Sequence, residues 1–283
     1  MKYRTLAIIV FGCIFLSANA QPQYTKADST KIVNWLSEAQ SLPDNTNLML
    51  HFANKFIDVP YVAHTLEVND RERLVVNLRQ LDCTTYVENV LAFALCAKRH
   101  LCSFKDFCEM LKQIRYIKGY IGYTTRQHYF SVWIEDNTSD GFVNEVQEPN
   151  PPFTKVQRVN VGYMTSHVQS YKMLNNHREW VPYIRKQEQA ITGKEYRYIP
   201  KSVVGNNELM KKAVRSGDII AIVTQLGGLD IAHVGIAVWH KDGLHMINAS
   251  SLHKKVIDEP KTLFQYLQNH KSHLGIRILR PQL

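Results

Sequence analysis

The hydrophobic pattern divides the chain in two. In the first half, apolar residues recur at helical spacing: Ile32, Trp35, Leu36 and Ala39 over residues 28–40, then Leu48, Leu50, Phe52 and Phe56 over residues 45–57. Pro60 closes the second run, because a proline disfavours helical geometry in the residue before it. A longer stripe of Val87, Val90, Leu91, Ala94 and Leu95 predicts a helix over residues 83–99. Ser103, with Asp106 three residues on, reads as the N-cap of a helix through Lys112. In the second half β-branched and aromatic residues take over. Residues 129–133 and 141–146 read as strands around a turn at Asp136-Asn137. Residues 219–224, 234–239, 244–249 and 275–279 read as further strands. Gly227-Gly228 and Lys241-Asp242-Gly243 supply tight reversals, so three of these strands should form an antiparallel meander. The stretch 166–207 has no clear periodicity. Helices followed by an antiparallel sheet predict an α+β fold.

The N-terminus carries a different signal. Lys2 and Arg4 precede an apolar run over residues 6–16, and Ser17-Ala18-Asn19-Ala20 offers the small A-x-A residues that signal peptidase accepts. The run is well short of the roughly 20 residues that a bilayer span requires. Residues 1–20 are therefore expected to be a signal peptide, and the protein to be exported to the periplasm or secreted. Cys13 loosely resembles a lipoprotein acceptor, but the apolar run continues past it where a lipidated cysteine should open onto polar linker, so simple cleavage is expected instead. No later segment is apolar enough to span a membrane, and no stable insertion is expected after cleavage. Residues 21–283 are expected to form one domain with N-terminal helices and a mid-chain insertion.

Composition adds exclusions. With 45% hydrophobic and 21% charged residues over 283 positions, the chain is neither disordered nor fibrous. Its net charge of +9 suits an anionic partner. The cations are scattered rather than gathered into an aromatic-interleaved stripe, so nucleic acid is not an expected partner. Five cysteines are too few for a disulfide scaffold and leave room for a reactive one. Cys96, Cys102 and Cys108 could pair among themselves. Their spacing with His100 fits no zinc pattern, and no H-E-x-x-H cluster occurs, so neither metal nor cofactor is expected.

One cysteine stands apart. Cys83 falls in the first turn of the longest predicted helix, where unpaired N–H groups and the helix dipole favour an anion and should lower a thiol pKa. Neighbouring N–H groups could hold an oxyanion. A small buried residue or half of a disulfide would occupy such a position equally well. A nucleophilic thiol needs a base, and His233 enters the strand Ile231-Ala232-His233-Val234-Gly235-Ile236-Ala237. Alternation puts His233, Gly235 and Ala237 on one face, where small residues would let another backbone, such as the Cys83 helix, come close. The base needs an orienting partner. On the next strand His245 and Asn248 are three apart and face opposite sides, so only one can join His233. Asn248 could accept the imidazole N–H without adding charge.

Taken together, Asp82-Cys83-Thr84-Thr85 at a helix start, His233-Val234-Gly235-Ile236 downstream and a polar residue on the following strand resemble the NlpC-type papain-like peptidoglycan hydrolases. Pro60-Tyr61-Val62 with Thr65-Leu66-Glu67, the block from Asn77-Leu78 through Glu88, His128-Tyr129-Phe130 with Trp133-Ile134, and Gly228-Leu229-Asp230 before Ile231 resemble its N-acetylmuramoyl-L-alanine amidase branch. The likeness spans roughly residues 45 to 280. It implies a papain-like fold, helices packed on an antiparallel sheet, with the nucleophile at a helix N-terminus. Cys83 would be the nucleophile, His233 the general base and acid, and Asn248 the orienter at a position where many relatives carry histidine. Tyr61 would line the pocket and donate to the oxyanion. Asp82 and Arg126 would contact substrate, although each could equally serve as a cap or salt-bridge residue. The implied activity is that of a cell-wall cysteine amidase, cutting between N-acetylmuramic acid and L-alanine through a thioester, with muropeptides as partners. A stem-peptide endopeptidase cutting between D-glutamate and the diamino acid, and a non-catalytic wall-binding module, are the alternatives.

Overall fold

The computed structural model describes residues 21–283; the expected signal peptide, Cys13 included, lies outside the described residues. Helices come first: α1 (Lys26–Ala39), α2 (Leu48–Lys55), α3 (Cys83–Lys98), α4 (Phe104–Arg115) and α5 (Phe130–Ser139). Their starts follow local chemistry. Thr25 with Asp28, Asp82 with Thr85 and Ser103 with Asp106 form reciprocal capping boxes on α1, α3 and α4. The middle of the chain holds β1 (Val143–Val146), β2 (Lys155–Arg158), α6 (Tyr163–Ser166), α7 (Lys172–Asn176), α8 (Val181–Ile191), β3 (Glu195–Pro200) and α9 (Asn207–Ala213). Then follow β4 (Ile219–Thr224), β5 (Ile231–Trp239), β6 (Leu244–Ser250), β7 (Lys255–Asp258), α10 (Leu263–Gln268) and β8 (His273–Pro281).

The strand order is β2-β3-β8-β4-β5-β6-β7, with β1 also paired to β8 and every pairing antiparallel. The expected meander is β4-β5-β6. Alternation along these strands separates two cores. Ile219, Ala221, Val234, Ile236, Ile247 and Ala249 pack with residues of α1–α4 such as Leu36, Phe52, Val90 and Phe107. Ile220, Ile222, Ala237, Met246 and Ile278 pack instead with Phe153, Met210, Leu263 and Leu267. A further cluster of Tyr129, Val161, Met164, Leu174, Ile184 and Tyr196 draws in the segment between β1 and β4. The α+β expectation holds.

Residues 129–133 differ from their expected strand, because they open α5, with Asp136 and Asn137 inside the helix rather than in a turn. The Asp230 carboxylate accepts the Ser131 N–H at 2.6 Å and so satisfies the helix start from across the fold. Asn137 is buried, and its amide donates to the Ile114 and Trp133 carbonyls at 3.0 and 2.9 Å. Strands β2, β3 and β7 and helix α10 have no counterpart in the pattern. Cys83, Cys96, Cys102 and Cys108 are all free thiols. No helix among the described residues is long and apolar enough to cross a membrane.

Candidate active site

Strand β5 is bonded along one edge to β4, from Ile236 opposite Ile219 to His233 opposite Ile222, with a bulge before Ile231. Along its other edge the ladder with β6 runs only from Trp239–Leu244 to Ile236–Ile247 and then stops. The Ala237 N–H donates toward the β4 side, to the Asp218 carbonyl at 2.8 Å. Alternation therefore turns the Val234 N–H toward the β6 side, where the ladder has ended. Helix α3 packs against both strands. It delivers Cys83 to this opening, where the Val234 N–H favours the charged form of the sulfur.

His233 and Asn248 meet across the same opening, with Nε2 of the ring 3.0 Å from Oδ1 of the amide. An amide oxygen can only accept, so Nε2 carries the hydrogen and Nδ1 keeps its lone pair. The Asn248 amide is itself held, its Nδ2 donating to the Met246 carbonyl at 3.4 Å. His245 lies on the opposite face, its Nδ1 donating to the Glu259 carbonyl at 2.9 Å. Of the two possible partners, the fold brings Asn248 to His233.

Charge at the site departs from the expectation of a lowered thiol pKa. Burial and the Asp82 carboxylate push the Cys83 thiol up to about 12, against the pull of the Val234 N–H and of the Thr84 hydroxyl and N–H. The helix start supplies donors, but desolvation and a neighbouring anion outweigh them. Burial also holds His233 below its usual value, opposed by its bond to Asn248. Both shifts favour the neutral forms, a thiol at Cys83 and an uncharged imidazole at His233. The role expected of Gly235 changes as well. A Cβ there would meet Met246 Cγ at 2.5 Å and the Ile247 carbonyl at 2.8 Å, so the missing side chain admits β6, not the Cys83 helix.

Tyr61 sits on the segment bridged to Leu81, two residues before Cys83. The Tyr61 N–H donates to the Lys254 carbonyl at 2.9 Å, while the Val62 N–H donates to the Leu81 carbonyl and the Leu81 N–H to the Pro60 carbonyl, both at 3.0 Å, holding residues 60–62 against the residue preceding Asp82. Burial, with Cys83 and Asp82 nearby, raises the Tyr61 phenol pKa. Asp82 takes its capping role: Oδ1 accepts from the Thr85 N–H and hydroxyl, both at 2.8 Å. Arg126 takes its salt-bridge role. It is 6% exposed, paired with Glu67 and with Glu72 at 3.3 Å, and lies 4.8 Å over the Tyr123 ring, so its charge is answered within the protein.

A row of rings beside His233 escaped the sequence reading. Tyr266 lies 6.4 Å from His233, His270 4.7 Å from Tyr266, and His273 4.5 Å from His270, centroid to centroid. Burial and the charges of His270 and His233 push His273 down to about 4. The only local trace of the row is the three-residue spacing of His270 and His273.

Comparison with known proteins gives this geometry a context. A family model described as AmiA-like, N-acetylmuramoyl-L-alanine amidase-like, matches residues 51–276. Among solved structures, an N-acetylmuramoyl-L-alanine amidase from Bacteroides uniformis is 41% identical, with a TM-score of 0.77 over 83% of this chain and 98% of its own. A Bacteroides fragilis protein provisionally named a xylanase is 40% identical, with a TM-score of 0.76 over 82% and 99%. A Legionella pneumophila protein at 20% identity and a TM-score of 0.71, covering 91% of this chain and 95% of its own, shares the fold. No curated protein matches the chain. The match over most of its length establishes that the chain belongs to the AmiA-like, N-acetylmuramoyl-L-alanine amidase-like family.

Proposed function

We propose that this protein is a cysteine amidase of the NlpC-type, papain-like kind, exported to act on peptidoglycan or its muropeptides at the bond between N-acetylmuramic acid and L-alanine. The observation that carries the reading is the His233 Nε2–H on Asn248 Oδ1, with Cys83 at the start of α3, which packs on the same strands. Because thiol and imidazole rest neutral, activation is a proton transfer coupled to attack. His233 Nδ1 takes the thiol proton as Sγ bonds to the lactyl carbonyl carbon. The Asn248 oxygen stabilises the imidazolium without itself becoming charged. The Cys83 N–H, at the first helical position with no carbonyl four residues behind it, and the Tyr61 hydroxyl hold the oxyanion. His233 then gives its proton to the departing alanine nitrogen as the C–N bond breaks and a thioester remains. Water, deprotonated by the same imidazole, attacks the thioester and returns the thiol.

Mass spectrometry of digested, defined muropeptides tests this. Free disaccharide with intact peptide is the expected result. Truncated peptides still on sugar would replace it with the stem-peptide endopeptidase, and no product of either kind would leave a wall-binding module. The xylanase name of one neighbour points to glycosidic cleavage, which needs two carboxyl groups flanking the bond. Asp82, beside Cys83, commits one oxygen to its helix cap, and no reducing sugar is expected from xylan.

A further inference from the structure

The β5–β6 pair carries a second set of polar side chains at its other end. His240 follows β5, His245 lies on β6 and Asp258 closes β7, so three neighbouring strands each contribute one group. We infer that His240, His245 and Asp258 form a structural site for a divalent transition-metal ion, Zn2+ foremost, that ties these strands together. The site is independent of the amidase reading, since His240 lies seven residue steps along the chain from His233, roughly 23 Å in extended backbone.

The donor geometry is the first support. One ligand atom from each of the three residues lies within 4.8 Å of the others. His240 Nε2 is 2.8 Å from Asp258 Oδ2. Neighbouring ligands around a tetrahedral Zn2+ stand roughly 3.3 Å apart, so small rotations suffice. Two imidazoles and a carboxylate are borderline donors, suited to zinc better than to calcium or magnesium.

His245 gives the second support. It is 3% exposed, and its Nδ1 donates to the Glu259 carbonyl at 2.9 Å. This backbone anchor is the outer-shell bond that metal-bound histidines make, fixing the lone pair on Nε2. That nitrogen faces Asp242 Oδ1 at 3.1 Å. Two acceptors so close repel unless a cation or a second ring proton lies between them, and a metal ion held by His240 and Asp258 meets that need. The site would anchor β7, a four-residue strand at the sheet's edge. Residues 58 and 59 hang on β7 through bonds to Val256 at 2.9 and 2.8 Å. A zinc site here would therefore steady the segment that leads to Tyr61.

The test uses untagged protein carrying Cys83→Ala and Cys102→Ser, which remove the two free thiols that are not buried, stripped with chelator and titrated with zinc chloride by calorimetry and thermal unfolding. The expected result is about one Zn2+ per chain and a rise in Tm on loading. In a His240→Gln/Asp258→Asn double variant, affinity falls about tenfold or more and the rise disappears, while the zinc-free Tm stays near that of the parent. A His270→Ala variant, which disrupts the ring row beside His233, keeps both. No uptake by the stripped protein, undiminished uptake by the double variant, or loss of uptake with His270 would each overturn the site.

Discussion

The two ends of the β5–β6 pair are built in opposite ways around the same side chain. At the hairpin end the ladder is complete, the His240 N–H closes the turn on the Gly243 carbonyl at 2.9 Å, and His245 has both ring nitrogens engaged. At the other end the ladder stops after Ile236–Ile247, and half-buried His233 has Nε2 alone bonded among the described residues. Where the strands close, a histidine is bonded at both ring nitrogens; where they part, a histidine keeps one ring nitrogen unbonded among the described residues, as the proposed role of base requires.

The largest way to break that contrast is Cys83→Ala, which should lower amide hydrolysis by about 10³-fold or more while circular dichroism and Tm stay near the parent. Unchanged turnover would remove the thiol from the reaction. Next in size, Asn248→Ala should reduce kcat by about 10²-fold with little change in KM, and Asn248→His should retain most activity. At the closed end His245→Gln should leave kcat intact and instead lower stability by about 1–3 kcal/mol in urea unfolding. Equal kinetic effects at the two ends would erase the distinction. Gly235→Ala, which sets a Cβ 2.5 Å from Met246 Cγ where the strands begin to part, should destabilise by about 1–3 kcal/mol, read as a lower urea midpoint. The smallest effect is a shift of pH profile. Because His233 is held below the ordinary 6.5, it stays an unprotonated base to lower pH, and the acid limb of kcat/KM should fall below that value. Because the thiol is pushed up, iodoacetamide labelling of Cys83 should climb through the alkaline range, with no plateau in acid.

Periodicity records which face of an element is buried, and whatever depends on that alone was legible. Helices α1–α4, the β4-β5-β6 meander and the rule that only one of Asn248 and His245 can join His233 all follow from it. What depends on a distant partner was not. Helix α5 starts without a side-chain cap of its own, because its cap is a carboxylate 99 residues away. Arg126 is neutralised by Glu67 and Glu72, 59 and 54 residues before it. The Cys83 position could be read from its helix start, but its charge state depends on desolvation that the tertiary packing creates. His240 and His245 are close in sequence, yet Asp258 reaches them only through the register that sets it opposite Ile247.

The position of β8 bears on how the chain acquires this shape. It is synthesised after every other described strand, yet it pairs with β1, β3 and β4 and joins the two halves of the sheet. Until it arrives, β4 lacks a partner on one edge and the β2–β3 ladder has no sheet to join. Its contacts with β1 span well over a hundred residues, the kind of long-range closure that slows folding and makes it all-or-none. A nascent chain stopped before His273 would hold two unfinished half-sheets with bare edges, prone to stick to one another.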